Sequence, residues 1–504
     1  MAGWFSVAAN IARMKHEAVE LDVLIVGAGL SGIDAAWHLQ KQLPHWRYAI
    51  LESRAELGGT WSLFRYPGIR SDSDMYTLGF PFRPWRGEKS LADGATILQY
   101  MKEAASDAGI DRNIRLHHRA VAAAWDSASA RWFVTVEVGP QREQKFFSCR
   151  FLHLCTGYYD YAEGHAPAFP GEDTFRGQCI HPQFWPKDFD YTGKRVVVIG
   201  SGATAVTLVP AMVPLAAHVT MLQRSPTWIA SLPSNDKLAN FLRRWLPAGL
   251  AHSLVRAKQV AYSLVTYQIA RRWPNIIRKA LRKGQRALLG RDYDIDTHLT
   301  PRYQPWDERL CLVPDGDLFR AIRGGKAEIV TDQIETFTPE GIRLKSGREL
   351  AADVIVTATG LRLLPGGGLK VQVDGVPVDL GATYAYQGVM LGNLPNISFC
   401  VGYINASWTL RADLVSRWVC RVLRLMDRKG YTVVRPRCDA STLQPHPLLE
   451  FRAGYVQRSV DIFPKQGAAL PWRFKQNFLF DLAMLRWRPL RDGTLEFTKG
   501  SPSS

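Results

Sequence analysis

The chain has 504 residues, 46% hydrophobic and 22% charged, which is long enough for two or three domains and too apolar for intrinsic disorder. Its seven cysteines form an odd set without C-x-x-C spacing, which weighs against a disulfide reductase, argues against a disulfide framework and points to a reducing, cytoplasmic setting. The 12 histidines are scattered, so no metal is expected, and no apolar run is long enough for a membrane span.

Residues 1–21 read as an N-terminal extension whose basic residues follow its apolar ones, the reverse of a secretory signal. The apolar run Val23–Val26 then enters Gly27-Ala28-Gly29-Leu30-Ser31-Gly32. In such a turn Gly27 permits the bend and Gly29 lets backbone N–H groups approach a pyrophosphate. Gly32 lets the following helix lie close on the strand, with its positive end facing the phosphates. The next predicted strand, Tyr48–Leu51, ends in Glu52, where a carboxylate suits a ribose diol. Residues 22–160 are thus expected to form the first part of a dinucleotide domain, closing on Phe151–Leu154 and the turn Cys155-Thr156-Gly157.

A linker over 161–194 carries Phe175-x-Gly177-x-x-x-His181-x-x-x-Trp185-Pro186, and Pro182 and Pro186 argue that it is not helical. A second cradle follows: Val196–Ile199 leads into Gly200-Ser201-Gly202-Ala203-Thr204-Ala205. The strand His218–Leu222 then passes through Gln223 to Arg224-Ser225 with no acid at its tip. A guanidinium and a hydroxyl suit a 2′-phosphate, which a carboxylate would repel, so this second site reads as NADPH-binding. The second domain is expected over 195–349, with a helical insertion at about 235–300.

The net charge of +17 concentrates in that insertion, where 13 lysines and arginines and no acid lie between Lys237 and Arg291, interleaved with apolar residues at helical spacing. Two readings stay open: a solvated helix pair, or a peripheral membrane contact through 237–291. Nucleic acid is not an expected partner, because no recognition motif accompanies the charge. Val354–Val356 is expected to return the chain to the first domain, whose second part is 350–504. That part holds a buried strand near 396–402 and a helix around Thr409–Asp427. The fold class is α/β, two Rossmann-like domains with the second inserted in the first.

Gly58-Gly59-Thr60-Trp61, Arg65-Tyr66-Pro67-Gly68-Ile69-Arg70-Ser71-Asp72 and the Phe–Gly–His–Trp–Pro string together resemble the class B flavoprotein monooxygenases, within them the Baeyer–Villiger branch. Ser225-Pro226-Thr227, Pro305-Trp306-Asp307-Glu308-Arg309 and Tyr403-x-Asn405-Ala406-Ser407-Trp408 look like the subgroup containing the ethionamide-activating enzymes. The resemblance implies FAD in the first cradle, with Gly59, Thr60, Trp61, Asp72 and Tyr76 among its contacts, and NADPH in the second. It implies oxygen insertion into a small apolar ketone, or oxidation of a sulfide or thioamide, by O₂ through a C4a-peroxyflavin. Arg309 is implied as the positive charge beside the reacting oxygen, with Asp72 as its partner, and Phe175, Gly177, His181, Trp185 and Pro186 as a conformational fingerprint. The alternatives are an N- or S-oxygenating enzyme without useful ketone activity and a non-catalytic electron-transfer flavoprotein.

Overall fold

The computed structural model describes residues 14–308 and 310–499. Strand β1 (Val19–Val26) feeds helix α1 (Leu30–Gln42), and the chain returns through β2 (Tyr48–Leu51). Val23 to Val26 are all buried although adjacent, because a parallel strand covered on both faces needs a continuous apolar run. Helix α2 (Met75–Leu78) follows, and then β3 (Ile114–Arg115), β4 (His118–Asp126), β5 (Arg131–Val138) and β6 (Glu143–Leu154). The long β6 serves two neighbours: its first half pairs antiparallel with β5, and Phe147–Leu154 runs parallel to β1.

From β6 the chain turns at Cys155 into β7 (Tyr159–Gly164) and enters the second domain. That domain is built on β8 (Gln178–Ile180), β9 (Arg195–Ile199), β10 (His218–Gln223), β11 (Ala327–Thr331) and β12 (Val354–Thr357), all parallel, in the order β11-β10-β9-β12-β8. Two sequence expectations are corrected here. Val354–Val356 does not return the chain to the first domain but lies between β9 and β8 in the second sheet. Gln178–Ile180, assigned to the linker, is that sheet's edge strand. An apolar run shows that a strand is buried and carries no label for the sheet that buries it.

The actual return is β13 (Leu361–Leu363), which pairs antiparallel with β7, so the chain leaves and re-enters the first domain along one narrow ribbon. β14 (Lys370–Val373) and β15 (Val376–Val378) then extend the large sheet beyond β4. β16 (Ile397–Phe399) lies parallel to the end of β6.

Helix α3 (Ala203–Met212) follows β9. The insertion is three helices where a pair was expected: α4 (Lys237–Trp245), α5 (Ala248–Arg272) and α6 (Pro274–Leu289). The prolines decide the breaks, with Pro247 at the N-cap of α5 and Pro274 at the first position of α6, where a missing N–H costs nothing. Helix α7 (Trp408–Lys429), close to its predicted span, packs on α1. Among the described residues no helix is long and apolar enough to cross a membrane.

Candidate active site: two cradles and the seam between them

The first cradle is tightly closed. A methyl group on Gly32 would lie 1.9 Å from the Gly27 carbonyl oxygen, and one on Gly27 would lie 2.5 Å from the Cys155 carbonyl oxygen. Gly29 caps α1 without a side-chain bond, which leaves the helix's first N–H groups facing the cradle. Gly58 and Gly59 both have positive φ, and a methyl on Gly59 would come within 3.2 Å of both the Gly29 Cα and the Tyr161 hydroxyl. Such close backbone approach is what a pyrophosphate cradle requires.

Glu52 sits at the tip of β2, only 4% exposed. Its carboxylate accepts the Ala28 N–H and the Arg54 N–H, both at 3.0 Å. Burial pushes its carboxyl above the usual range, against those two N–H groups, which favour the anion. Arg54 in turn donates to Ser62 Oγ (2.7 Å) and the Ser62 carbonyl (3.0 Å), tying the strand tip to the Gly58–Trp61 turn. Thr60 opens the short helix there and hydrogen-bonds the buried Tyr161 hydroxyl. Trp61 is partly buried against the first domain's core. Trp408 Nε1 donates to Ser31 Oγ at 2.8 Å, pinning α7 to the start of α1.

The second cradle repeats the plan with more room. A methyl on Gly200 would lie 2.4 Å from the Ala358 carbonyl oxygen, as Gly27 does to Cys155, but one on Gly202 would meet nothing within 4 Å. Gly202 caps α3 without a side-chain bond, and Ala203 and Thr204 open the helix. Arg224 and Ser225 are exposed beyond β10. Ser201 Oγ bonds the Ser225 carbonyl (3.1 Å) and Thr227 Oγ1 (2.9 Å), holding that loop over the cradle. An uncapped helix N-terminus with an exposed guanidinium at the neighbouring strand tip fits a nucleotide bearing an additional phosphate.

Residues 65–72 bridge the two domains. Thr204 hydrogen-bonds the Tyr66 phenol, which burial, and more weakly the nearby Asp72 carboxylate, pushes to a higher pKa. Gly68, at φ 75°, rests on α3 so closely that a methyl there would lie 2.5 Å from Ala211 Cβ. Arg70 pairs with Asp317 of the second domain at 2.9 Å. Asp72 therefore stands at the seam, beside the start of the second cradle's helix. Arg309, its implied partner, lies outside the described residues. Its neighbour Asp307 accepts from Arg271 of α5 at 2.6 Å, and Trp306 packs edge-on against Tyr267 of the same helix.

The fingerprint residues surround the β7/β13 ribbon and its neighbouring strands. His181 Nδ1 accepts the Gln183 N–H (3.2 Å) and its Nε2 faces the Gly360 carbonyl (3.3 Å), the pattern of a neutral ring protonated on Nε2. Burial holds its pKa below the ordinary value. A methyl on Gly164 would collide with the ring at 2.2 Å, so His181 lies flat on the ribbon. Phe175 packs against Phe337, Gly177 is closed in by the Asp353 carbonyl, and Trp185 meets Phe189 and Tyr191 just before Pro186. No helix forms across Pro182 and Pro186, only a single tight turn over Pro182–Phe184.

Sequence reasoning missed Arg256. It points from α5 into the first domain, where it donates to the carbonyls of Tyr76 (2.8 Å) and Gly79 (3.0 Å), closing the C-terminal end of α2. Tyr76, expected at the flavin, is fully buried in this helix. Nothing separates Arg256 from the insertion's other 12 cations in the sequence. Arg54 was missed too, although an Arg two residues after Glu52 is a local signal. The cavity of about 560 Å³ along the outer edge of β11, lined by Tyr293, His298, Arg323 and Arg348, lies away from the seam.

A profile for flavin-binding monooxygenase-like proteins matches residues 88–260, and one for an NAD(P)-binding Rossmann-like domain matches 25–86. The chain is 53% identical to the FAD-containing monooxygenase EthA of Mycolicibacterium smegmatis over 479 residues, 95% of this chain and 97% of that one. It is 54% identical to EthA of Mycobacterium tuberculosis over 480 residues, with 95% and 98% covered. Among solved structures, an oxidised steroid monooxygenase bound to NADP superimposes with a TM-score of 0.74 at 21% identity, covering 96% of this chain and all of that one. An open cyclohexanone monooxygenase gives 0.68 at 21%, covering 83% and 90%.

Proposed function

Since the chain belongs to the flavin-binding monooxygenase-like family, we propose that it is an FAD-containing, NADPH- and O₂-dependent enzyme that inserts one oxygen atom into ketones to give esters or lactones, and that also oxidises sulfides and thioamides. The balance is ketone, O₂, NADPH and a proton in, and ester, NADP⁺ and water out. The single observation that carries this reading is the seam, where the segment from Arg65 to Asp72 ties one cradle to the other. FAD held by the first cradle would supply the acceptor for the NADPH hydride and the means of activating O₂.

The protein's own residues perform the remaining tasks. Gly27, Gly29, Gly32 and Glu52 hold the adenine half of FAD, and the Gly59–Trp61 turn covers it. Gly200, Gly202, Ala203 and Thr204 receive the NADPH pyrophosphate, while Arg224 and Ser225 select its 2′-phosphate. Arg309 supplies a permanent cation where negative charge develops on the reacting oxygen, and Asp72 orients it. The Trp185-Pro186 ending of the fingerprint favours ketone chemistry over purely N- or S-oxygenating chemistry. His181 positions the domains about the ribbon and is not a chemical base.

Product analysis tests the proposal. The yellow enzyme is supplied with NADPH, ¹⁸O₂ and a panel of linear, cyclic and aromatic ketones alongside sulfides. Esters carrying one ¹⁸O, lost in Arg309→Ala while its flavin content is kept, are the expected result. Sulfoxides without any ester would leave only the heteroatom reading, and NADPH consumption without oxygenated product would overturn the oxygenase itself.

A further inference from the structure

Helix α5 is apolar on two opposite faces, and only one of them is covered. Its inner face buries Ala251, Val255, Val260 and Ala270 and carries Arg256 into the first domain. On the outer face Leu250, Leu254, Ala257, Ala261 and Val265 recur every three or four residues as one exposed stripe without a charge. Leu254 is 45% and Val265 56% exposed. The helices packed beside α5 add bulk: Phe241 and Trp245 (68% exposed) on α4, and Trp273 with Ile276 at the start of α6. Aliphatic residues of this size in a continuous solvent-facing stripe are uncommon on a lone chain in water.

The surrounding charge is of one sign. Of the insertion's cations, Lys258 pairs with Asp236, Arg271 with Asp307, and Arg282 and Arg286 with Asp296. Arg243 and Arg256 are consumed by backbone carbonyls. Lys237, Arg244, Arg272, Lys279, Lys283 and Arg291 remain exposed, and among the described residues none of the six has a carboxylate partner.

We propose that this outer face docks peripherally on an anionic lipid bilayer. The apolar stripe and the two tryptophans enter the acyl boundary, and the unpaired cations meet the phosphates above it. A second copy of the chain fits poorly, because six unneutralised cations would face their own duplicates. Nucleic acid satisfies the cations but offers no sink for the stripe. Docking here places the lipid against the helix whose opposite side closes α2 and reaches Asp307. An apolar substrate dissolved in the bilayer then lies one helix away from the seam, whichever oxygenation the enzyme performs.

Vesicle co-sedimentation of the flavin-loaded 504-residue chain tests this. Phosphatidylcholine vesicles containing phosphatidylglycerol should pellet the protein, pure phosphatidylcholine should not, and binding should fall as salt rises. Leu254→Ser/Val265→Ser and, separately, Lys279→Glu/Lys283→Glu should each weaken binding about tenfold or more while keeping the flavin spectrum and the NADPH oxidation rate in lipid-free buffer. Recovery of the parent protein in the supernatant with both lipids would overturn the proposal. So would a Leu254→Ser/Val265→Ser variant that binds as well as the parent, since charge alone would then explain the contact. A lipid-free dimer that this variant dissociates would assign the face to self-association instead.

Discussion

The two cradles use the same strand–turn–helix plan at the same residue spacing and are finished differently. In the first, the position five residues after the opening glycine is Gly32, and a methyl there would strike the turn's own carbonyl. In the second, the corresponding residue is Ala205, fully buried without difficulty. The middle glycine faces Gly59 across the first cradle, whereas Gly202 looks into open space. The strand tip of the first holds a buried, doubly hydrogen-bonded carboxylate, and that of the second presents an exposed guanidinium. A turn whose glycines are crowded by backbone, with a buried carboxylate at its strand tip, suits a cofactor that stays through every turnover. A site open at its rim, with its charge in water, suits a coenzyme that must enter and leave. On the proposed assignment, the same topology serves a resident and a visitor through a few side chains.

The largest expected effect breaks the closed cradle. Gly32→Ala has to displace backbone, so its cost should exceed the about 1–3 kcal/mol typical of core overpacking. The expected outcome is colourless or insoluble protein, measured as flavin per chain. Gly202→Ala, in open space, should stay yellow and fold normally, losing only NADPH affinity. Equal flavin content in the two variants would remove the distinction between the cradles.

Next comes the charge at the open rim. Arg224→Ala should raise the KM for NADPH about 10- to 100-fold with little change for NADH, the equivalent of losing about 1.5–3 kcal/mol from a charge-assisted bond. Initial rates with both coenzymes are sufficient. A variant that discriminates as well as the parent would move 2′-phosphate recognition elsewhere.

These differences were legible in the sequence because each is local: glycine spacing, the residue at a strand tip, proline in the fingerprint. What escaped was set by distance along the chain. Val354–Thr357 reads as a buried strand, yet its neighbours are residues 178–180 and 195–199, which no local pattern names. The buried pairing of Arg411 with Asp481 joins residues 70 apart and was invisible for the same reason. The insertion was recognised as helical and basic, but the composition could not separate Arg256, which builds the first domain, from cations that face outward. Removing it gives the third prediction. Arg256→Ala should leave the Tyr76 and Gly79 carbonyls unpaired and cost about 1–3 kcal/mol, seen as a lower denaturation midpoint. Arg272→Ala, on the exposed side, should cost almost nothing.

The smallest effect lies inside the two cradle helices, where Asp34 of α1 corresponds to Thr207 of α3. Asp34 is fully buried, with only the Ser416 hydroxyl among the described residues, which donates to the Ala412 carbonyl, close to its carboxylate; His38 Nε2, 3.9 Å away, bonds Asp413 at 2.8 Å instead. Burial pushes the Asp34 carboxyl up to about 7, opposed by His38 and assisted by Asp413. The folded protein therefore keeps a proton that the unfolded chain releases near pH 4. With the native state binding more protons at this group across that window, the contribution of Asp34 to stability falls as pH rises from about 4 through about 7, and levels off above. Between pH 6 and 8 the parent should lose about 1 kcal/mol relative to Asp34→Asn, which holds no titrating proton at this position; His153 and His252, whose pKa values burial lowers to about 4, act in the opposite direction and equally in both proteins. Urea denaturation of both proteins at the two pH values reads the difference. Parallel losses in the two proteins would mean that Asp34 is ionised in the native state. The closed cradle would then carry a buried anion where the open one carries Thr207.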